Sequence, residues 1–177
     1  MKRIVFALAI FVVFSNFVFA DNAKKINSFC GIKFGSTPLK KHSFISRTKS
    51  GSRLYNFKPQ KYFMNFKECG YAATPFTNKI AMVFLICRVK GVDDAENYAN
   101  HVKNVLENHY KVTPKKNIRS LEPEYIFELG NIALTLKVEF DVIESTVQIV
   151  AVDVELFKLM QKEEKQYMTR NIDTSAL

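Results

Sequence analysis

The sequence predicts an α+β domain: a mainly antiparallel sheet with one long helix packed on a face and a second helix at the C-terminus. Three observations carry this. Apolar residues alternate singly along several short segments separated by turn formers, the period of half-buried strands. Between Ala95 and Tyr110 the period changes to three and four, the stripe of an amphipathic helix. The order is strands, helix, strands, helix, which layers helices on an antiparallel sheet instead of alternating them into parallel crossovers.

The chain opens on Lys2 and Arg3, an uncharged apolar run from Ile4 to Phe14, then Ser15, Asn16, Val18 and Ala20. This is the layout of a secretory signal peptide over residues 1–20, with cleavage expected after Ala20. Export to a secreted or periplasmic location follows, and the mature chain, of 157 residues from Asp21, suits a single α+β domain over 21–177. Cleavage leaves no cysteine at the new terminus, so no lipid anchor is expected.

Gly35 to Ser52 is rich in Gly, Ser, Thr and Pro and reads as one long basic loop. Tyr55, Phe57 and Pro59, then Tyr62, Met64 and Phe66, alternate as short strands, with the prolines at breaks or edges. After Cys69 and Gly70, a turn at Thr77 and Asn78 leads into Ile80–Val89. That run is apolar at both alternating sets of positions, as a central strand buried on both faces would be.

Ala95, Tyr98, Ala99, Val102, Val105, Leu106 and Tyr110 share one helical stripe, with Gly91 and Pro114 bounding a helix over about 94–110. Asp93 and Glu96 have the spacing of a capping box. Tyr125–Leu129 and Ile132–Phe140 alternate on either side of Gly130-Asn131, a two-residue hairpin turn. Thr146–Val154 is a further strand, and Leu156–Met168 a terminal helix with Leu156, Leu159 and Met160 facing inward.

The net charge is +9, or +7 without Lys2 and Arg3, and it is unevenly placed. From Asn22 to Lys67 there are eleven Lys or Arg and no Asp or Glu, whereas from Glu68 onward thirteen basic residues face sixteen acidic ones. A one-sign block of this kind is either a solvated basic loop over one side of the fold, its aromatics belonging to flanking strands, or a surface for an anionic partner. The candidate surface is Lys33, Lys40, Lys41, Arg47, Lys49, Arg53, Lys58 and Lys61, with aromatics interleaved at Phe34, Phe44, Tyr55, Phe57, Tyr62 and Phe63. In an exported protein the expected partner is an acidic protein, an anionic lipid or a glycan, and not nucleic acid. After signal cleavage no transmembrane segment is expected.

Three cysteines in an oxidising compartment allow at most one internal disulfide. Cys69 and Cys87 are symmetric about Asn78, so a hairpin turning there would set them opposite each other. Cys30 with Cys69, the preferred pair, would staple the N-terminal segment to the sheet and leave Cys87 on a buried strand. No dithiol motif, phosphate-cradling loop, nucleophile elbow or zinc motif occurs. His101 and His109 stand eight residues apart, about 12 Å along a helix, too far to share a metal ion. Asp93, Asp94 and Glu96 are accounted for by the helix N-terminus. No catalytic residue, metal or cofactor is therefore expected.

Phe29-Cys30-Gly31-Ile32-Lys33-Phe34-Gly35-Ser36, close after a signal peptide and followed by a sheet bearing Cys69 and a helix from near Asp93, resembles small exported bacterial proteins of uncharacterised function. The resemblance covers about the first half of the mature chain. It implies an envelope or secreted location and supplies no activity. Two function classes stand: a non-enzymatic binding module using the basic third, which is favoured, and a small exported hydrolase or enzyme inhibitor.

Overall fold

The structure is a computed structural model that describes residues 26–175 apart from 119, 121 and 142, with side chains described as far as Arg170. The expected signal peptide, residues 1–20, lies outside the described residues. In chain order the elements are β1 (Ser28–Phe29), β2 (Ile32–Lys33), β3 (Ser43–Arg47), β4 (Arg53–Asn56), β5 (Glu68–Ala73), β6 (Ile80–Val89), α1 (Val92–Tyr110), β7 (Lys115–Lys116), β8 (Glu124–Leu129), β9 (Ile132–Glu139), β10 (Ser145–Asp153) and α2 (Val154–Ser175). β1 and β2 form a small hairpin. The other eight make one sheet in the order β3-β4-β5-β6-β10-β9-β8-β7, antiparallel at every step. The expected fold class is the observed one.

The sheet is two meanders joined at their last strands. β3 to β6 run in sequence, α1 crosses to the far edge, and β7 to β10 return until β10 pairs with β6. That places β6 and β10 in the centre: Ile80 to Cys87 of β6 are buried at both sets of alternating positions, whereas β10 is buried at one set and half-buried at Thr146, Gln148 and Val150 of the other.

α1 lies on one face. Ala95, Ala99, Val102 and Leu106 pack on Val83, Leu85, Val147, Ile149, Leu134, Leu136 and Val138. Burying side chains the size of Val102 and Leu106 contributes about 1.5–3 kcal/mol each. The capping box is not made: Gly91 is the N-cap and no side chain caps it, so Asp93 and Asp94 act only as first-turn acids. At the other end Lys111 takes a left-handed conformation and donates its N–H to the Glu107 carbonyl.

α2 lies on the opposite face, across the strands. Beneath it runs one cross-strand row, Ala133, Val152, Met82, Ala72 and Leu54, each opposite the next, onto which Phe157 and Met160 pack. Asp153 begins this helix by accepting from the Leu156 N–H with Oδ1, while its Oδ2 accepts from Asn131 Nδ2. Asn131 also bonds both main-chain groups of Ile26, tying down the start of the described chain.

Two local expectations are corrected. The segment 35–52 is not one loop, because it contains the edge strand β3 and its turn into β4. Residues 62–66 form no strand: Met64 is left-handed at φ 49° and the Phe66 N–H donates to the Phe63 carbonyl, which closes a turn. Phe66 is buried all the same, against Phe63 and Tyr98.

Candidate anionic-partner surface

The edge of the sheet is made by β3, whose five residues are all exposed. β4 holds it through Ser43 opposite Asn56, Phe44 opposite Tyr55, Ser46 opposite Leu54 and Arg47 opposite Arg53, with Ile45 bulged between. The turn that follows uses Lys49, Ser50 and Gly51. Thr48 donates to the Ser52 carbonyl and accepts from the Gly51 N–H, and Gly51 has φ +93°. This is a three-residue hairpin loop ending in a left-handed bulge residue, a position that favours glycine. Lys49-Ser50-Gly51 between Phe44-Ile45 and Leu54-Tyr55 was therefore a hairpin signal, hidden among the serines.

Behind the edge stands an aromatic ladder. Tyr71 is fully buried on β5, Tyr55 stacks on it at 5.2 Å between ring centroids, and Phe44 meets Tyr55 edge-on at 5.5 Å. Phe44 is 56% exposed, so the ladder runs from the core to open surface. His42 sits over Tyr71, its Nδ1 3.0 Å from the phenol oxygen, and its ring also meets Phe57. Burial and then the Lys41 charge hold His42 below its ordinary pKa, while burial and neighbouring Tyr55 push the Tyr71 phenol up to about 12. This arrangement orders the segment before β3 and leaves a neutral imidazole at neutral pH.

The basic residues fall into groups. Lys40 and Lys41 lie just before β3, Arg47 ends it, Lys49 is in its turn, and Arg53 is directly across from Arg47. Like charges directly opposite on a ladder are unfavourable. Arg47 covers the Tyr167 ring at 5.7 Å, and the Nε of Arg53 is buried with no hydrogen-bond partner among the described residues. Lys58 and Lys61 are exposed in the segment after β4, and Lys33 is on the separate small hairpin, so the fold does not gather all eight on one element. The carboxylate that reaches the β3–β4 turn, Glu164, is occupied by the Ser50 and Ser52 hydroxyls at 2.8 and 2.6 Å.

Elsewhere four cations are paired. Arg88 meets Glu68 and Glu144, Lys115 meets Glu128, Lys137 meets Glu139, and Lys158 meets Glu155. Among the described residues every ion pair is formed from Glu68 onward, and none of the basic residues between 33 and 67 takes part in one.

The three cysteines are free thiols, so the expected Cys30–Cys69 bridge is not formed. The register is the reason that Cys69 does not face Cys87 either: Cys69 is opposite Leu85. Cys30 occupies the β1–β2 turn at φ 49°, and both it and Cys69 are pushed up to about 11, each by burial and Cys30 also by Cys69. Burial raises Cys87 too. Thiols held this high are poor nucleophiles.

Among the described residues no group of three or more His, Cys, Asp or Glu is placed to hold a metal ion, and no helix is long and apolar enough to cross a membrane. The chain matches no family model, no curated protein and no solved structure.

Proposed function

We propose that this chain is an exported, non-enzymatic binding module whose basic N-terminal third engages an anionic partner. One observation carries the reading: none of the described cations of that third has an acidic partner, while Arg88, Lys115, Lys137 and Lys158 of the remaining chain are each paired with a Glu within the fold. Exposed ion pairs add little stability, so the contrast bears on what the surface can meet and not on how the fold holds. Exposed Leu39, Phe44 and Ile45 among these charges add apolar contact beside the electrostatic attraction.

The test is a titration of the chain from Asp21 against a Glu-rich peptide, a sulfated glycan and vesicles of anionic lipid, each at low and high salt. Binding to at least one of them should weaken as salt rises and disappear when Lys40, Lys41, Arg47 and Lys49 are all changed to Glu. Binding indifferent to both salt and those four substitutions overturns the reading, as does absence of binding to all three probes.

A further inference from the structure

We infer that β3 is a docking edge, and that its partner is an acidic peptide segment which adds to the sheet as an extended strand. This rests on the proposed engagement of an anion and specifies its chemistry and geometry.

The hydrogen-bond pattern decides which main-chain groups are available. Thr48 N–H donates to the Ser52 carbonyl, so antiparallel alternation makes Ser46 and Leu54 the next hydrogen-bonded pair and Arg47 with Arg53 a non-bonded one. On the other side of β4, Phe57 N–H donates to the Cys69 carbonyl, which by the same alternation turns the main-chain groups of Tyr55 and Arg53 toward β5. Their opposite numbers on β3, Phe44 and Arg47, therefore point N–H and C=O outward from the sheet. Among the described residues no strand lies beyond β3, so these donors and acceptors form the template that strand addition uses.

Charge selects the occupant. Lys40, Lys41, Arg47 and Lys49 flank or lie on the strand, and two copies joined through β3 would bring these like charges together. A second copy is thus disfavoured and an acidic strand favoured. Side chains alternate along an added strand, so Glu or Asp at alternate positions can meet the cations while residues between them lie near Phe44 and Ile45, which are 56% and 37% exposed. A lipid surface or a flexible glycan would use the charges and leave the main-chain template unsatisfied. The bulge at Ile45 shortens the usable edge to a few residues, as suits a short linear segment.

The probe is a peptide of alternating Glu and Thr, compared with the same peptide N-methylated at every second amide, which keeps its charge and removes half its strand donors. Removing two or more net hydrogen bonds should weaken binding by at least about tenfold. Amide hydrogen exchange at Phe44 and Arg47 should slow when the unmodified peptide is bound. Equal binding of both peptides, or no slowing at those two amides, overturns strand addition while leaving charge-based binding intact. Association of the glycan or the vesicles without the peptide has the same meaning. Loss of salt-dependent binding to every anion would instead remove the underlying reading. Self-association of the free chain that Arg47→Glu abolishes would assign the edge to a second copy and overturn the inference.

Discussion

Glu163 of α2 holds Thr77 in the β5–β6 turn by both its hydroxyl and its N–H: Oε1 accepts from the Thr77 hydroxyl at 2.7 Å and Oε2 from the Thr77 N–H at 3.1 Å. Oε2 also accepts from the Phe76 N–H at 2.7 Å. The residue is 5% exposed. Its neighbour Glu164 binds the β3–β4 turn, so consecutive carboxylates pin α2 to two hairpins.

Burial alone would raise the Glu163 carboxyl, but the Thr77 hydroxyl, the Phe76 and Thr77 N–H groups and the Thr74 hydroxyl outweigh it and hold the pKa below its ordinary value of 4.5. A depressed folded value means that its contribution is fully present above the unfolded pKa and is lost as pH falls through the folded one. Glu163→Gln should destabilise by about 1–3 kcal/mol at neutral pH. Denaturant melts at descending pH should show the wild type and the variant converging below about pH 4.5. A constant gap down to the acid limit would contradict the assignment.

Gly51 meets two demands at once. Its φ is +93°, and an added Cβ would lie 2.4 Å from the Tyr167 ring. Gly51→Ala should cost about 1–2 kcal/mol from the backbone alone, with a further loss where the ring is displaced. Thermal melts of Gly51→Ala in the Tyr167→Ala background separate the two, since only the backbone part should survive there.

Gly70 is constrained by space. A Cβ there would meet Phe84 ring atoms at 2.3 and 2.4 Å and the Tyr55 carbonyl at 2.8 Å. The carbonyl is main chain of the adjacent strand and cannot swing aside, so Gly70→Ala should destabilise by about 1–3 kcal/mol. Phe84→Leu should recover part of that loss in a double-mutant cycle, and full recovery would show that the carbonyl contact is harmless.

The thiols should be slow to react. Cys30 and Cys69 are raised to about 11, so little thiolate exists at neutral pH, and alkylation of the folded chain should accelerate as pH climbs toward that value. Mass spectrometry after a short iodoacetamide pulse at neutral pH should find the native chain unmodified and the denatured chain carrying three adducts. Rapid native labelling of Cys30 would mean that its turn opens.

Much of the fold was legible in the residues. The run Ile80 to Cys87, apolar throughout, suits a place where both faces are covered, and it lies in a central strand. The Ala95–Leu106 stripe and the Gly130-Asn131 turn each depend on local period and local turn chemistry, which sequence carries directly. Residues 62–66 misled because alternation also occurs in a turn that buries Phe66, and β3 was missed because an exposed edge strand has no buried face to impose a period.

The sequence by itself determined the α+β class, the long helix, the main strands and the electrical division at Lys67. Only the tertiary structure decided that α1 and α2 take opposite faces and that β10 closes on β6. It also decided that Arg47, on the edge strand, faces Arg53 of its neighbour and that Cys69 faces Leu85 instead of a cysteine. Period and charge are local properties of the chain. Register and facing depend on which distant surfaces are buried together, and no short stretch of residues contains that information.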